Sequence, residues 1–173
     1  MAQIEVNKLY NANVYVDGNS FLGKAEEITM PDITPMMADH KALGMVGMME
    51  LPTGWEKMSA TIKWNSFYAD VMRKAFNPYK AVQLQLRGSL ESWQSVGRVG
   101  EQPYVVFLTA TFKKAPTGSF KQQENAEFES ELNVLYVRVE VAGVPVVEFD
   151  PMANIYKVDG VDILQNYRNN LGA

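Results

Sequence analysis

The stretch KMSATIKW, Lys57 to Trp64, alternates without a break: Met58, Ala60, Ile62 and Trp64 on one side, Lys57, Ser59, Thr61 and Lys63 on the other. A period of two is that of a β-strand, and this one has a dry face and a wet face. AVQLQLRG, Ala81 to Gly88, repeats the device, with Val82, Leu84 and Leu86 set against Gln83, Gln85 and Arg87. Two strands of this kind predict an antiparallel sheet with Met58, Ile62, Trp64, Val82, Leu84 and Leu86 turned toward a common core.

The flanking sequence extends the same reading. VYV (Val14–Val16) and KAEEITM (Lys24–Met30) have β character, as do FESELNVLYVRVEV (Phe128–Val141) and VPVVEF (Val144–Phe149). YVVFLTATF, Tyr104 to Phe112, is apolar on both faces through its first half and reads as a central strand. Asp17-Gly18, Ala142-Gly143 and Asp159-Gly160 supply the positive-φ residues of tight turns. Two helices are predicted. Asn65-Ser66 can cap FYADVMRKAF, in which Phe67, Val71 and Ala75 share a face beside Tyr68 and Met72, and Pro78 stops it. VDILQNYRNN runs from about Asp162 to Asn170 and meets a C-cap glycine at Gly172. The predicted fold is mainly β, an antiparallel β-sandwich or barrel with a flanking α-helix, a short C-terminal helix and a long extended loop.

Composition narrows the function. The 173 residues are 47% hydrophobic and 21% charged, enough for one domain, residues 1–173, around a substantial core. No stretch is apolar over the roughly 18–20 residues that cross a bilayer, and MAQIEVNKLY lacks a signal peptide's apolar run, so no membrane insertion and production in a cytoplasm are expected. Cysteine is absent, which removes disulfides, thiol catalysis and thiolate metal sites. The formal charge of −4 speaks against tight nucleic-acid binding, which needs a basic stripe.

No nucleophile elbow, phosphate loop, dinucleotide fingerprint or zinc-protease motif is present, so no enzyme, metal or cofactor is expected. The single histidine, His40, is read as a loop residue. Gly97-Arg98-Val99-Gly100-Glu101 and Thr117-Gly118-Ser119 read as mobile loops. Glu127, Glu129 and Glu131 fall on one strand face at roughly 6.5–7 Å steps. They form either a solvated acidic face or a hard-cation site.

The remaining anomaly is PMMADHKALGMVGMMELP, Pro35 to Pro52, which holds five of ten methionines and matches neither helix nor strand periodicity. Methionine suits irregular or changing contacts, and Gly44 and Gly47 let the backbone bend. So much apolar surface left in water is an aggregation hazard. The segment, a protruding loop at about 35–55, is read as an arm that packs on a neighbouring copy, with a fold-back over the sandwich as the other option. The residues expected to make this inter-subunit or inter-ring contact are Met36, Met37, Leu43, Met45, Met48, Met49 and Leu51. Removing Met36 to Met49 is expected to spare the fold and stop assembly.

YVRVEVAGVPVVEFDPMANIYKVDGVDILQNYRNNLGA, Tyr136 to Ala173, resembles the closing segment of major tail tube proteins from contractile-tailed bacteriophages and R-type pyocins. Gly143, Glu148-Phe149-Asp150, Asp159-Gly160, Asp162, Leu164, Arg168 and Leu171-Gly172 fall in that pattern's order. Asn13 to Ser20, Gly23 and Pro31 match its opening hairpin, Leu43-Gly44-Met45 its glycine–methionine loop, and Leu86-Arg87-Gly88 its middle. Ala142 stands where Asp is usual, and Ala173 where Leu is. The resemblance implies the phage tail-tube fold, hexameric rings stacked into a tube inside a contractile sheath, and a location in the virion tail after assembly in the host cytoplasm. The partners it implies are copies of the chain, the tail sheath protein, a tape measure protein, a baseplate hub, a tail terminator and DNA passing through the lumen. Glu127, Glu129 and Glu131 are then candidates for lumen lining. The alternatives are a type VI secretion or pyocin-like tube subunit and a monomeric β-barrel holding a small apolar ligand between its methionines.

Overall fold

A computed structural model of the chain describes residues 4–119, 122 and 126–172. In order, the elements are β1 (Val6–Val16), β2 (Asn19–Ser20), β3 (Ala25–Thr29), β4 (Pro35–His40), β5 (Met49–Trp55), β6 (Met58–Trp64), α1 (Ala69–Ala75), β7 (Val82–Gln94), β8 (Gly97–Lys114), β9 (Phe128–Val141), β10 (Val144–Asp150), β11 (Ile155–Val158), β12 (Val161–Asp162) and α2 (Gln165–Leu171). All pairings are antiparallel. The main sheet runs β12-β11-β10-β9-β8-β7-β1-β2, with β8 central as its apolar sequence requires.

The sheet forks at β9. One edge of β9 pairs with β8 along nearly its whole length. On its other edge, the first half pairs with β6 from Phe128↔Trp64 to Val134↔Met58, and the second half pairs with β10 from Val137↔Phe149 to Val141↔Val144. Strand β6 in turn carries β3. The β6–β3 branch folds the sheet over its own apolar face, so the core lies inside a partly open barrel.

The six residues assigned to that face from alternation are all buried, at 7% exposure or less. Val106, Leu108, Ala110 and Phe112 from β8 and Leu132, Val134 and Val137 from β9 complete the filling. Burying a Val, Leu, Ile, Phe or Met side chain is worth about 1.5–3 kcal/mol, and this dense interior, not strand propensity, holds the fold. The one buried polar contact at its centre is satisfied: the Trp64 Nε1–H donates to Ser130 Oγ at 3.2 Å. The interior is occupied by side chains, and the methionines of 35–52 are not among them.

The three predicted turns form as expected, with both central residues at positive φ: Asp17 and Gly18, Ala142 and Gly143, Asp159 and Gly160. Helix α1 buries Val71, Met72 and Ala75 but is shorter than predicted, and Asn65-Ser66 does not cap it. Phe67 lies outside the helix and is half-exposed. Asn65 is used elsewhere: its Nδ2 donates to Gly23 O at 2.7 Å, and its Oδ1 accepts from the Tyr68 hydroxyl. Tying α1's approach to the β2–β3 turn takes precedence over the cap. Helix α2 starts at Gln165, three residues later than predicted, because Val161–Asp162 are drawn into a strand with Lys157–Val158. Gly172 takes the left-handed C-cap conformation at φ 71°.

Two sequence readings are overturned. Residues 97–101 are not a loop: they begin β8, which pairs with β7 out to Gln94↔Gly97. The methionine segment is not irregular either. Pro35–His40 and Met49–Trp55 pair from Pro35↔Trp55 to His40↔Met49 as a separate two-stranded sheet. Its strand pattern is hidden in the sequence because apolar and polar residues fall on both faces and nearly all are exposed, so nothing alternates. No helix among the described residues is long and apolar enough to cross a membrane.

Candidate assembly interface

The β4–β5 hairpin is an arm. Its base is fixed by Trp55, whose ring packs 5.2 Å from Phe149 and 4.5 Å from Tyr156, and by the Glu56 N–H donating to Thr34 O at 2.9 Å. Beyond that base the arm is solvated. Met36, Met37, Leu43, Met48, Met49 and Leu51 are between 44% and 106% exposed. Met45, in the loop that joins the strands, is alone of the predicted set half-buried. The arm's stiffness is local: Thr53 Oγ1 donates to Met36 O at 3.2 Å, and the Met36 methyl fills the space beside Gly54.

Unpaired backbone accompanies this apolar surface. On its outer side β1 pairs with β2 only at Tyr15 and Val16, which leaves Val6–Asn13 as an open edge. β3 ends its branch with a second open edge. The two edges flank a groove of about 260 Å³ whose floor includes Leu9, Val14, Ile28, Leu86 and Val106. Long open edges are hazards that proteins cover, and one way is to pair them with another chain.

The glutamate row differs from its expected form. Glu127 precedes β9, while Glu129 and Glu131 lie within it, Glu129 directly opposite Lys63 in the ladder. Lys114 Nζ sits 3.1 Å from Glu129 and 3.7 Å from Glu131, and Lys63 pairs with Glu27. The Glu129 hydrogen bond and charge push the Lys114 ammonium above its ordinary pKa, and Glu27 does the same to Lys63. The face is a ladder of mixed charge, not a bare acidic strip. Among the described residues no group of three or more His, Asp or Glu is placed to hold a metal ion.

Two features escaped the sequence reading. The strands β1, β7 and β8 run past the end of β9 as a three-stranded ribbon. On it the Trp93 indole N–H donates to Glu91 at 2.9 Å, and Arg98 bridges Glu91 at 3.0 Å and Glu101 at 2.5 Å. The Trp93 hydrogen bond, then Arg98, holds the Glu91 carboxyl below the usual carboxylate range. The readable signal was Glu91 and Glu101 flanking Trp93 and Arg98 around the Ser95-Val96-Gly97 turn.

The second feature is a clasp on the C-terminal helix, which buries none of its own residues. Arg168 pairs with Asp162 and donates to Asn154 O at 2.7 Å, and Asp162 Oδ1 accepts the Leu164 N–H at 3.1 Å. The Arg168 guanidinium holds the Asp162 carboxyl below its ordinary value. A carboxylate so depressed stabilises the docked helix at pH values above the ~3.9 of a free Asp, and that contribution disappears as pH falls through the lowered value. Amide exchange over Gln165–Leu171 is therefore expected to be flat between about pH 7 and 5, after correction for intrinsic exchange, and to accelerate below about pH 3.5. Asp162→Asn should show fast exchange throughout, and a transition near pH 5 would contradict the clasp.

The family model for phage tail tube protein FII matches residues 6–172. The tail tube protein of Escherichia phage P2 is 28% identical over 169 residues, covering 95% of this chain and 96% of that protein. Among solved structures, a chain of the sheath–tube complex of an extracellular contractile injection system in its extended state superposes with a TM-score of 0.57. It is 15% identical and covers 76% of this chain and 88% of its own. A chain of the sheath/tube terminator of that system superposes equally well at 12% identity, covering 76% of this chain and 94% of its own. At these identities the two structures show a shared fold.

Proposed function

The chain belongs to the phage tail tube protein FII family, structural tube subunits of contractile machines, and on that footing we propose that it forms hexameric rings that stack into the hollow inner tube of a phage tail. The observation that carries the reading is the arm: seven apolar residues chosen from sequence, six of them exposed on a hairpin that its own subunit leaves uncovered. Such a surface is completed by another copy, and the open edges of β1 and β3 add main-chain pairing to the apolar contact. Head-to-tail contacts that close make a ring, and stacking those rings without closure makes a filament.

In this reading the arm at 35–55 reaches an adjoining subunit or the next ring, the single domain 1–173 supplies the wall, and assembly takes place in the host cytoplasm. The sheath protein surrounds the tube, the terminator and baseplate hub close its ends, and a tape measure protein and then DNA occupy the lumen. The solved structures of the injection system, a sheath–tube complex and a sheath/tube terminator, support the sheath and terminator by analogy.

Negative-stain microscopy of the purified protein tests the function, with six-fold rings or tubes expected. A monodisperse monomer at high concentration would overturn it. Glu127, Glu129 and Glu131 remain the candidate lumen lining. Exposed ion pairs are worth about 0.2–1 kcal/mol each, so Glu→Gln at all three is expected to leave assembly intact. It also leaves Lys63 and Lys114 without those counter-charges, and DNA ejection should slow at low salt. Lost assembly would remove these residues from the lumen.

A further inference from the structure

The described residues form two apolar poles, each exposed on the subunit. At one end, the β1–β7–β8 ribbon continues six residues of β8, from Gly97 to Gln102, beyond the last β9 partner at Tyr104↔Val141, a projection of roughly 20 Å. Its tip exposes Ile4, Val6, Trp93, Val96 and Val99. At the opposite end lies α1. Around it Leu22, Phe67, Phe76 and Tyr79 are exposed, Tyr79 almost completely. The strands make these ends opposite: β7 leaves α1 at Val82 and runs away from it to the ribbon tip at Gln94.

The poles also differ in charge. Residues 4–10 and 89–102 carry Glu5, Glu91 and Glu101 against Lys8 and Arg98, an excess of one negative charge. Residues 17–24 and 65–82 carry Lys24, Arg73, Lys74 and Lys80 against Asp17 and Asp70, an excess of two positive charges. The tip is built stiff, since the Glu91–Trp93–Arg98–Glu101 bonds order its side chains before any contact is made, which lowers the entropy cost of docking.

Resting on the tube reading above, we infer that the ribbon tip of one subunit docks on the α1 pole of a subunit in the next ring, so that the two surfaces form the axial joint. Unlike patches at opposite poles make a heterologous contact, which repeats without closing and fits a filament axis. Opposite rim charges steer and orient the contact. A single joint need not reach the roughly 1,000 Å² of a stable pair, because a ring makes all its joints at once and the linked contacts multiply in effect.

The test uses two full-length variants and their mixture, each checked for cooperative melting. Val96→Asp with Val99→Asp disables the tip, and Phe76→Asp with Tyr79→Asp disables the pole; all four side chains are exposed. Each variant alone is expected to give isolated rings where wild type gives tubes. Mixed, they retain one working joint between unlike rings, so microscopy should show two-ring stacks and nothing longer. Tubes from either variant alone overturn the inference, as does a variant that melts normally but makes no rings, which would place its patch in the lateral contact. Stacking lost only in the tip variant also overturns it, since that marks a tip-to-tip joint. If the aspartates unfold the ribbon, Val96→Ser with Val99→Ser removes the apolar contact without added charge and is read the same way. Wild-type protein that forms no rings would refute the tube reading itself, a result distinct from all of these.

Discussion

Replacing Met36–Gly54 by a short Gly–Ser link is expected to give a subunit that folds normally and does not assemble. The cut follows the hairpin: removing one strand alone would leave the other's backbone groups unpaired, whereas this change removes the β4–β5 ladder together. Trp55 stays, so its contacts with Phe149 and Tyr156 at the base are kept. The exposed side chains removed bury little within their own subunit, so the melting temperature should move by no more than a few degrees. Assembly should fall below detection by sizing and microscopy, because the principal apolar contact to the neighbour is gone. Rings or tubes at wild-type yield would show that the arm is dispensable. A collapse in melting temperature would show that it is part of the core.

Phe149→Ala should produce the largest loss of stability among single changes in the C-terminal region. Phe149 is 2% exposed, and its ring lies between Trp55 at 5.2 Å and Tyr156 at 5.5 Å. It joins three parts of the chain: the arm's base, the β10–β11 hairpin, and β9 through its pairing with Val137. Truncating a buried Phe to Ala typically costs about 3–5 kcal/mol, because the cavity collapses only in part. For a domain of this size that lowers the melting temperature by about 6–20 °C. Val144→Ala, in the same strand but exposed, is the control and should stay within about 0.5 kcal/mol of wild type. A Phe149→Ala protein that melts with the wild type would mean that the C-terminal hairpin and the arm's base are not joined to the main core.

The closing pattern around Phe149 was recognisable in sequence before its reasons were visible. Asp150 stands at its end because its Oδ1 accepts the N–H groups of Met152 and Ala153 at 3.0 Å, turning the chain into β11. Glu148 accepts from Tyr136 and Lys157, both at 3.1 Å. Asp162 and Arg168 are the two halves of the clasp, and Gly172 caps the helix in a conformation that a side chain would strain. Glu148, Asp150, Asp162 and Gly172 each answer to a contact within about twelve residues or to a single backbone angle, whereas Phe149 also reaches Trp55 across the chain.

Two of the readings that failed, the helix cap and the glutamate row, depend on partners from other strands or turns. Asn65 looks like a helix cap because the local sequence offers one, but it is held by Gly23, 42 residues away. The Gly97–Glu101 segment failed for another reason: its partners, Glu91 to Gln94, lie close by in the chain, but neither strand carries a clean apolar–polar alternation in sequence. The glutamate row looks acidic until Lys63 and Lys114 arrive from other strands.

From the sequence alone followed the alternating core strands, their buried faces, the tight turns and the identity of the sticky segment, because a period of two and a positive φ are properties of a few adjacent residues. Only the tertiary structure decided that this segment is a free hairpin, that β9 forks, that the edges of β1 and β3 stay open, and that two apolar patches sit at opposite poles. Those outcomes depend on pairings such as Met58 with Val134, between residues far apart in the chain, and the energy that selects such a pairing is shared by both partners and written in neither.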